Sequence, residues 1–223
     1  MHLHHMDGAT SPCVSISQIA DVPIVGAKKF ILVSPGTTVF HQGDAGTDSI
    51  FLIKGTMCSY RITKDGDRLI SGFFLSGDIF CHSSHGIRMN SIDALSECIF
   101  QRLTPAALDA LVVAGIYGRQ LDRLANEEWN MSSGLLYRLH MTADQRVADF
   151  ILDIAQRSGA PIGDNSPVKL QMSRTEIASY LGLTTETVVR SLKRLAMEGM
   201  FIAITPHDYR IRDLKKLRQL AKV

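Results

Sequence analysis

The sequence predicts an α+β chain, with an antiparallel barrel or sandwich first and a small helical domain closing on a hairpin last. Three observations carry this. Short apolar segments separated by Gly, Pro and Asp turns fill residues 28–103. At Thr104-Pro105 the spacing becomes helical. The C-terminal quarter then holds two adjacent helix starts and a strand–turn–strand.

Residues 1–18 are polar and mixed and read as a flexible N-terminus. The clustered His2, His4 and His5 are either a metal site or, the favoured reading, part of that tail. The strands follow. Phe30-Ile31-Leu32-Val33 ends at Ser34-Pro35-Gly36, and Thr37-Thr38-Val39-Phe40 at Gln42-Gly43-Asp44. Ser49 to Ile53 leads to Lys54-Gly55, Met57 to Ile62 to Lys64-Asp65-Gly66-Asp67, and Leu69 to Phe74 to Ser76-Gly77-Asp78. Gly66 suits a hairpin turn, because glycine takes positive φ without a steric cost. Thr104 caps a short helix from Ala106 to Val113, with Pro105 in its first turn.

A longer helix is expected from Arg119 to about Leu139. Its stripe runs Leu121, Leu124, Met131, Leu135, with Glu128 interrupting. Such a stripe is either the core face of a solitary helix or half of a dimer coiled coil. The length of the stretch, with no compact partner directly after it, favours the dimer seam. Thr142-Ala143-Asp144-Gln145 is a capping box that opens a helix through Val147, Phe150, Ile151 and Ile154. Ser158 to Pro167 reads as a loop.

Composition narrows the function. Apolar residues make up 45% and charged residues 21%, ordinary for a globular protein. No apolar run approaches ~18 residues, so no membrane span is expected. With no signal pattern at the start, a cytoplasmic location is expected. The net charge of +2 is unevenly divided, since residues 169–223 carry eleven Lys and Arg against five Asp and Glu. A basic end on a slightly acidic body suits a polyanion-binding module. Cys13, Cys58, Cys81 and Cys98 lack the close pairs of zinc or iron–sulfur sites and read as buried, reduced thiols. No nucleophile triad, phosphate loop or paired-carboxylate motif points to an enzyme.

The informative stretch is 173–198. Ser173-Arg174-Thr175-Glu176 is a second capping box, and its helix runs through Ile177, Ala178 and Leu181 to a stop at Gly182. Thr184 caps the next helix, whose buried side is Val188, Leu192, Leu195 and Ala196. Small Ala178 lets the helices cross closely, and Gly182 permits the tight turn. This is a helix-turn-helix, a reader of double-stranded DNA. Phe201 to Ile204, the turn Thr205-Pro206-His207-Asp208 and Tyr209 to Arg212 add a wing. The second helix would enter the major groove and place Glu186, Val189 and Arg190 on base edges. Arg174, Thr175, Thr184, Thr185 and Lys193 are placed for phosphates. The competing reading is a three-helix core with a surface arginine.

Across residues 24–217 the sequence resembles the cyclic AMP receptor protein and FNR superfamily of transcription regulators. The resemblance rests on Gly36-Thr37-Thr38-Val39-Phe40-His41-Gln42-Gly43-Asp44, Tyr60 to Gly66, Gly72 to Asp78, Ser173 to Thr184, Glu186 to Arg190, and Glu198-Gly199-Met200. Tyr180-Leu181-Gly182-Leu183-Thr184 is closer to the FNR and FixK branch.

The resemblance implies a double-stranded β-roll (a cupin-like jelly roll) as sensor over 19–118, a dimerisation helix over 119–141, and a winged helix over 142–223. It further implies a homodimer on a palindromic promoter site, with a TTGAT-like half-site read by Glu186 and Arg190. Val189 stands where that branch usually has serine. An activator that touches RNA polymerase is implied as well. The loop Lys64 to Arg68 is either such a contact, as the comparable loop is in FNR-like activators, or an exposed hairpin tip.

The sensor matches less well. FNR's iron–sulfur cluster needs several N-terminal cysteines, and only Cys13 is there, with Gln101 near the β-roll ligand position. The cyclic-nucleotide pocket is met only by Gly77, Asp78 and Arg88, with Met89 in place of a serine. His82 and His85 are either haem or metal ligands or a solvated loop. No cofactor is therefore expected. A ligand-gated regulator binding a cyclic nucleotide or haem is the alternative.

Overall fold

The computed structural model describes residues 29–80, 83–84, 86–113, 140–158 and 161–221. The expected dimer seam of Leu121, Leu124, Glu128, Met131 and Leu135 lies outside them. So do the N-terminus, Cys13, Cys81, His82 and His85.

Ten strands come first: β1 (Phe30–Val33), β2 (Thr38–Phe40), β3 (Ser49–Lys54), β4 (Thr56–Ile62), β5 (Arg68–Leu75), β6 (Ile79–Phe80), β7 (Ser83–Ser84), β8 (Ile87–Arg88), β9 (Ser91–Ala94) and β10 (Cys98–Leu103). They form two four-stranded sheets, ordered β1-β10-β3-β6 and β2-β9-β4-β5, and the ribbon β7-β8. Every pairing is antiparallel. Chain neighbours often lie in different sheets, which gives the expected roll.

Ile50, Leu52, Phe80 and Phe100 of the first sheet share one core with Phe40, Met57, Phe74 and Ile92 of the second. Side chains of this size each contribute about 1.5–3 kcal/mol on burial. At the β3–β4 corner only glycine fits. Gly55 has φ +106°, and a Cβ there would come within 2.5 Å of the Glu97 carbonyl oxygen.

Helix α1 (Pro105–Val113) follows, with the Thr104 hydroxyl accepting from the Ala107 amide at 3.2 Å. The chain then continues through α2 (Ala143–Arg157), β11 (Pro167–Lys169), α3 (Arg174–Leu181), α4 (Thr185–Met197), β12 (Phe201–Ala203), β13 (Asp208–Ile211) and α5 (Leu214–Ala221). Sheet β11-β13-β12 makes the wing three-stranded. The sequence signals only a loop before β11. In that three-residue strand Val168 alone is buried, so no alternation shows, and pairing with β13 makes it a strand.

The β-roll and the winged helix share a second core. Cys58, Tyr60, Ile70 and Phe73 belong to one cluster with Phe150, Ile177 and Leu181. The join is specific. β5 is the edge strand of its sheet, and an open edge invites pairing with another chain. Here α3 covers it. The Ser179 hydroxyl accepts from the Ile70 amide at 3.0 Å and donates to the Arg68 carbonyl at 3.2 Å, as a further strand would. No helix among the described residues is long and apolar enough to cross a membrane.

Candidate nucleic-acid interface

The start of α3 is fixed by its own sequence. The Ser173 hydroxyl accepts from the Glu176 amide at 3.1 Å, and Glu176 Oε2 accepts from the Ser173 amide at 2.8 Å. Gly182 ends the helix at φ +64°, and the Leu183 amide reaches back to the Ala178 carbonyl at 2.9 Å. That closure satisfies carbonyls the helix end would leave open. Thr184 caps α4, its hydroxyl accepting from the Thr187 amide at 3.2 Å. Val188, Ser191, Leu192 and Leu195 of α4 face the core.

The first turn of α2 holds both helices. Arg146 donates to the Leu181 carbonyl at 3.0 Å and to the Met141 carbonyl at 3.3 Å, while Asp144 pairs with Arg194 of α4 at 2.6 Å. A cation at the C-terminus of α3 also suits its dipole.

Glu186, Val189, Arg190 and Lys193 of α4 are all exposed, as are Thr185, Arg194 and Met197. Val189 is 48% exposed, so its methyls face solvent while Val188, Leu192 and Leu195 are buried. Glu186 and Arg190 face each other one turn apart at 3.9 Å, both largely in solvent. A pair so exposed is weakly held, so either side chain is available to another partner. Thr175 and Thr185 meet across the turn, with 3.4 Å between hydroxyls, and Thr184 is beside them on the chain. The structure thus gathers three of the expected phosphate residues at the adjoining N-termini of α3 and α4, where backbone amides favour an anion.

Arg174 goes elsewhere. Its guanidinium donates to the Pro206 carbonyl and the Tyr209 hydroxyl and lies over the Tyr209 ring. It ties the start of α3 to the wing rather than reaching into solvent. Burial pushes the Tyr209 hydroxyl above its ordinary pKa, against the pull of Arg174. The wing tip is braced by Thr205, whose hydroxyl donates to Asp208 at 2.7 Å, and by His207 Nδ1 against the Leu170 carbonyl at 2.8 Å.

The three candidate effector residues are engaged within the protein. Gly77 sits in a turn at φ +94°. Asp78 Oδ2 accepts from the Leu75 amide at 2.7 Å and from Arg157 at 2.6 Å. Arg88 is 3% exposed, donates to the Asp48 carbonyl at 2.6 Å and lies 4.0 Å above the Phe40 ring. Among the described residues no group of three His, Cys, Asp or Glu is placed to hold a metal.

Comparison with known proteins decides the family. Residues 145–220 match the Crp-like helix-turn-helix domain, and residues 31–114 match the cyclic nucleotide-binding domain. The nitrogen fixation regulation protein FixK of Bradyrhizobium diazoefficiens is 32% identical over 200 residues, covering 84% of this chain and 80% of that protein. The chain belongs to the Crp/FNR family of transcription regulators. This Crp/FNR regulator is also similar to the transcriptional activator protein Anr of Pseudomonas protegens, at 31% identity over 83% of this chain and 78% of that one. Its fold matches the structure of FixK2 from Bradyrhizobium japonicum with a TM-score of 0.72 and 25% identity, over 87% of this chain and 98% of that one. These likenesses place it in the FixK-like branch. It is a DNA-binding transcription regulator, not an enzyme.

Proposed function

We propose that this regulator binds a palindromic promoter site as a homodimer and activates transcription there. Glu186 and Arg190 read the G·C-containing part of a TTGAT-like half-site, and Val189 packs on the neighbouring base. Thr175, Thr184, Thr185 and Lys193 hold the phosphates. The carrying observation is the outward face of α4, where these side chains stand in solvent while Val188, Leu192 and Leu195 anchor the helix. Arg190 can donate two hydrogen bonds to guanine O6 and N7, Glu186 can accept from cytosine N4, and the Val189 methyls suit a thymine methyl. Leu121, Leu124, Met131 and Leu135 supply the dimer seam, and two-fold pairing matches a palindrome. RNA polymerase is the further partner, and the compartment is the cytoplasm, where bacterial promoters lie.

Selection of bound sites from random DNA tests this reading. A palindrome with a G·C pair inside each half-site is expected; recovery of single, unpaired motifs refutes it. The alternative, gating by a cyclic nucleotide or haem, rests on the match of residues 31–114 to a cyclic nucleotide-binding domain. Asp78 and Arg88, the residues that would serve it, are committed to Arg157 and Asp48. Calorimetry with cyclic AMP and a visible absorption spectrum are expected to show no binding and no haem band.

A further inference from the structure

The face of the β-roll that meets the winged helix carries two separate ionic contacts around an aromatic centre. Phe73 of β5 lies 5.8 Å from Phe150 of α2 and 5.2 Å from Tyr180 of α3, ring centre to ring centre. On one side, Arg157 at the end of α2 donates to Asp78 Oδ2 and to the Phe73 carbonyl, both at 2.6 Å. Its side chain is 11% exposed and that of Asp78 14%. On the other side, Arg68 of β5 pairs with Asp93 at 2.8 Å and with Glu176 of α3 at 3.5 Å. Burial alone would lower the Arg157 pKa, but Asp78 and Asp153 outweigh it and hold it above its ordinary value. It stays a cation.

Apolar contact is permissive about angle, whereas charge pairs with hydrogen bonds fix it. The short Asp78–Arg157 pair on one side, the longer Arg68–Glu176 contact on the other and Ser179 bonded to the β5 edge together restrict how the winged helix sits on the roll. The seam uses α2 and α3 and none of the outward residues of α4. It therefore sets where α4 points without covering it.

We infer that Asp78–Arg157 and Arg68–Glu176 are positioning pairs that fix the angle of α4 on the β-roll, and so set the half-site spacing the regulator accepts. The inference rests on the dimer-on-palindrome reading above. In B-DNA each added base pair moves a half-site by ~3.4 Å and turns it by ~35°. A rigidly aimed pair of helices tolerates little of either. When both half-sites cannot be engaged at once, the bivalent advantage, on the order of 10²-fold, is lost.

The test uses the full chain and duplexes carrying the selected palindrome with its central spacing unchanged, shortened or lengthened by one and two base pairs. Two independent variants loosen the seam. Asp78→Asn with Arg157→Met keeps an acceptor for the Leu75 amide and leaves no buried charge unpaired. Glu176→Gln keeps the capping box, which accepts either residue, and removes the charge that meets Arg68. Thermal melting selects the variants that remain folded.

Wild type is expected to lose about 100-fold in affinity on altered spacings. Each folded variant is expected to retain most of its affinity at the selected spacing and lose less than about 10-fold on the others. Arg157→Lys, which keeps the charge opposite Asp78, is expected to restore the wild-type spacing dependence. A variant as selective as wild type overturns the inference, as does one that is uniformly weaker or tighter at every spacing. A wild type indifferent to spacing overturns the dimer-on-palindrome reading itself, and the role given to the seam falls with it.

Discussion

The two helices of the helix-turn-helix have similar sequence signals and opposite surroundings. Each opens on a capping hydroxyl and shows a polar side. On α4 that side is bare: Glu186, Val189, Arg190 and Lys193 stand in solvent. On α3 it is covered: Glu176, Ser179 and Tyr180 press on β5 and the strands beside it. Polar residues on a helix surface thus mean different things. Those of α4 await a partner, and Glu176, Ser179 and Tyr180 of α3 already have one inside the same chain. The aromatic side chain distinguishes them, since Tyr180 packs its ring on Phe73 and Phe150.

The comparison breaks most visibly at Phe150, which is 3% exposed between Phe73 and Tyr180. Phe150→Ala is expected to destabilise the protein by about 3–5 kcal/mol, the cost of emptying a packed aromatic site. Urea unfolding measures this, and a loss under about 1 kcal/mol would show a seam too loose to matter. Cys58 reports on the same place. Burial pushes its thiol up to about 12, against the pull of Arg68. The folded state holds this proton more tightly than the unfolded one, whose thiol titrates near 9. The resulting stability is present below pH 9 and is lost as pH rises toward 12. At pH 8 Cys58 is expected to resist alkylation in the native protein and react freely in urea, as site-resolved mass spectrometry reads. Rapid labelling without denaturant would mean the seam opens on its own.

On the open side, Arg190→Ala is expected to cost ~1–3 kcal/mol on the selected site and to relax specificity at one base position. Affinity for unrelated DNA should hold. Equal loss on all sequences would move Arg190 from base reading to the phosphates.

Most of the α4 side is legible because its signals are local. Both capping boxes, the Gly182 stop and the Thr184 cap each lie within a few residues of the groups they satisfy. The roll was legible as turns and short strands, but not as a sheet order, because β10 finds β1 and β3 across more than forty residues. The seam was not legible at all. Glu176 reads as a capping residue, which it is, yet its other oxygen meets Arg68 from a strand 108 positions earlier. Asp78 reads as a ligand residue by resemblance and is found on Arg157. Arg174 reads as a phosphate arm and is held by the wing, because the Pro206 carbonyl and Tyr209 hydroxyl are brought beside it only by the fold. In each case the local pattern names a charge, and only the tertiary structure names its partner.

Ser179 separates the two sides more finely. Ser179→Ala removes the group that satisfies the Ile70 amide on the edge of β5. The expected cost is about 1 kcal/mol, with the free edge partly reopened. Hydrogen exchange at the Ile70 amide should quicken while the amides of α4 keep their rates. If α4 quickens equally, the two faces of the motif are one cooperative unit and not two.

The smallest effect belongs to Lys193, exposed on α4 with no acidic group paired to it in the described structure. A lysine that neutralises one phosphate releases about one counterion, so Lys193→Ala should lower the slope of log affinity against log salt by about one. The weakening should be alike on the selected site and on unrelated DNA, unlike that of Arg190. The two substitutions lie three residues apart on one exposed face. A base-reading residue changes the ratio between sequences and a phosphate-holding one changes the common scale. An unchanged slope would take Lys193 off the phosphates and confine the DNA-facing part of α4 to its first two turns.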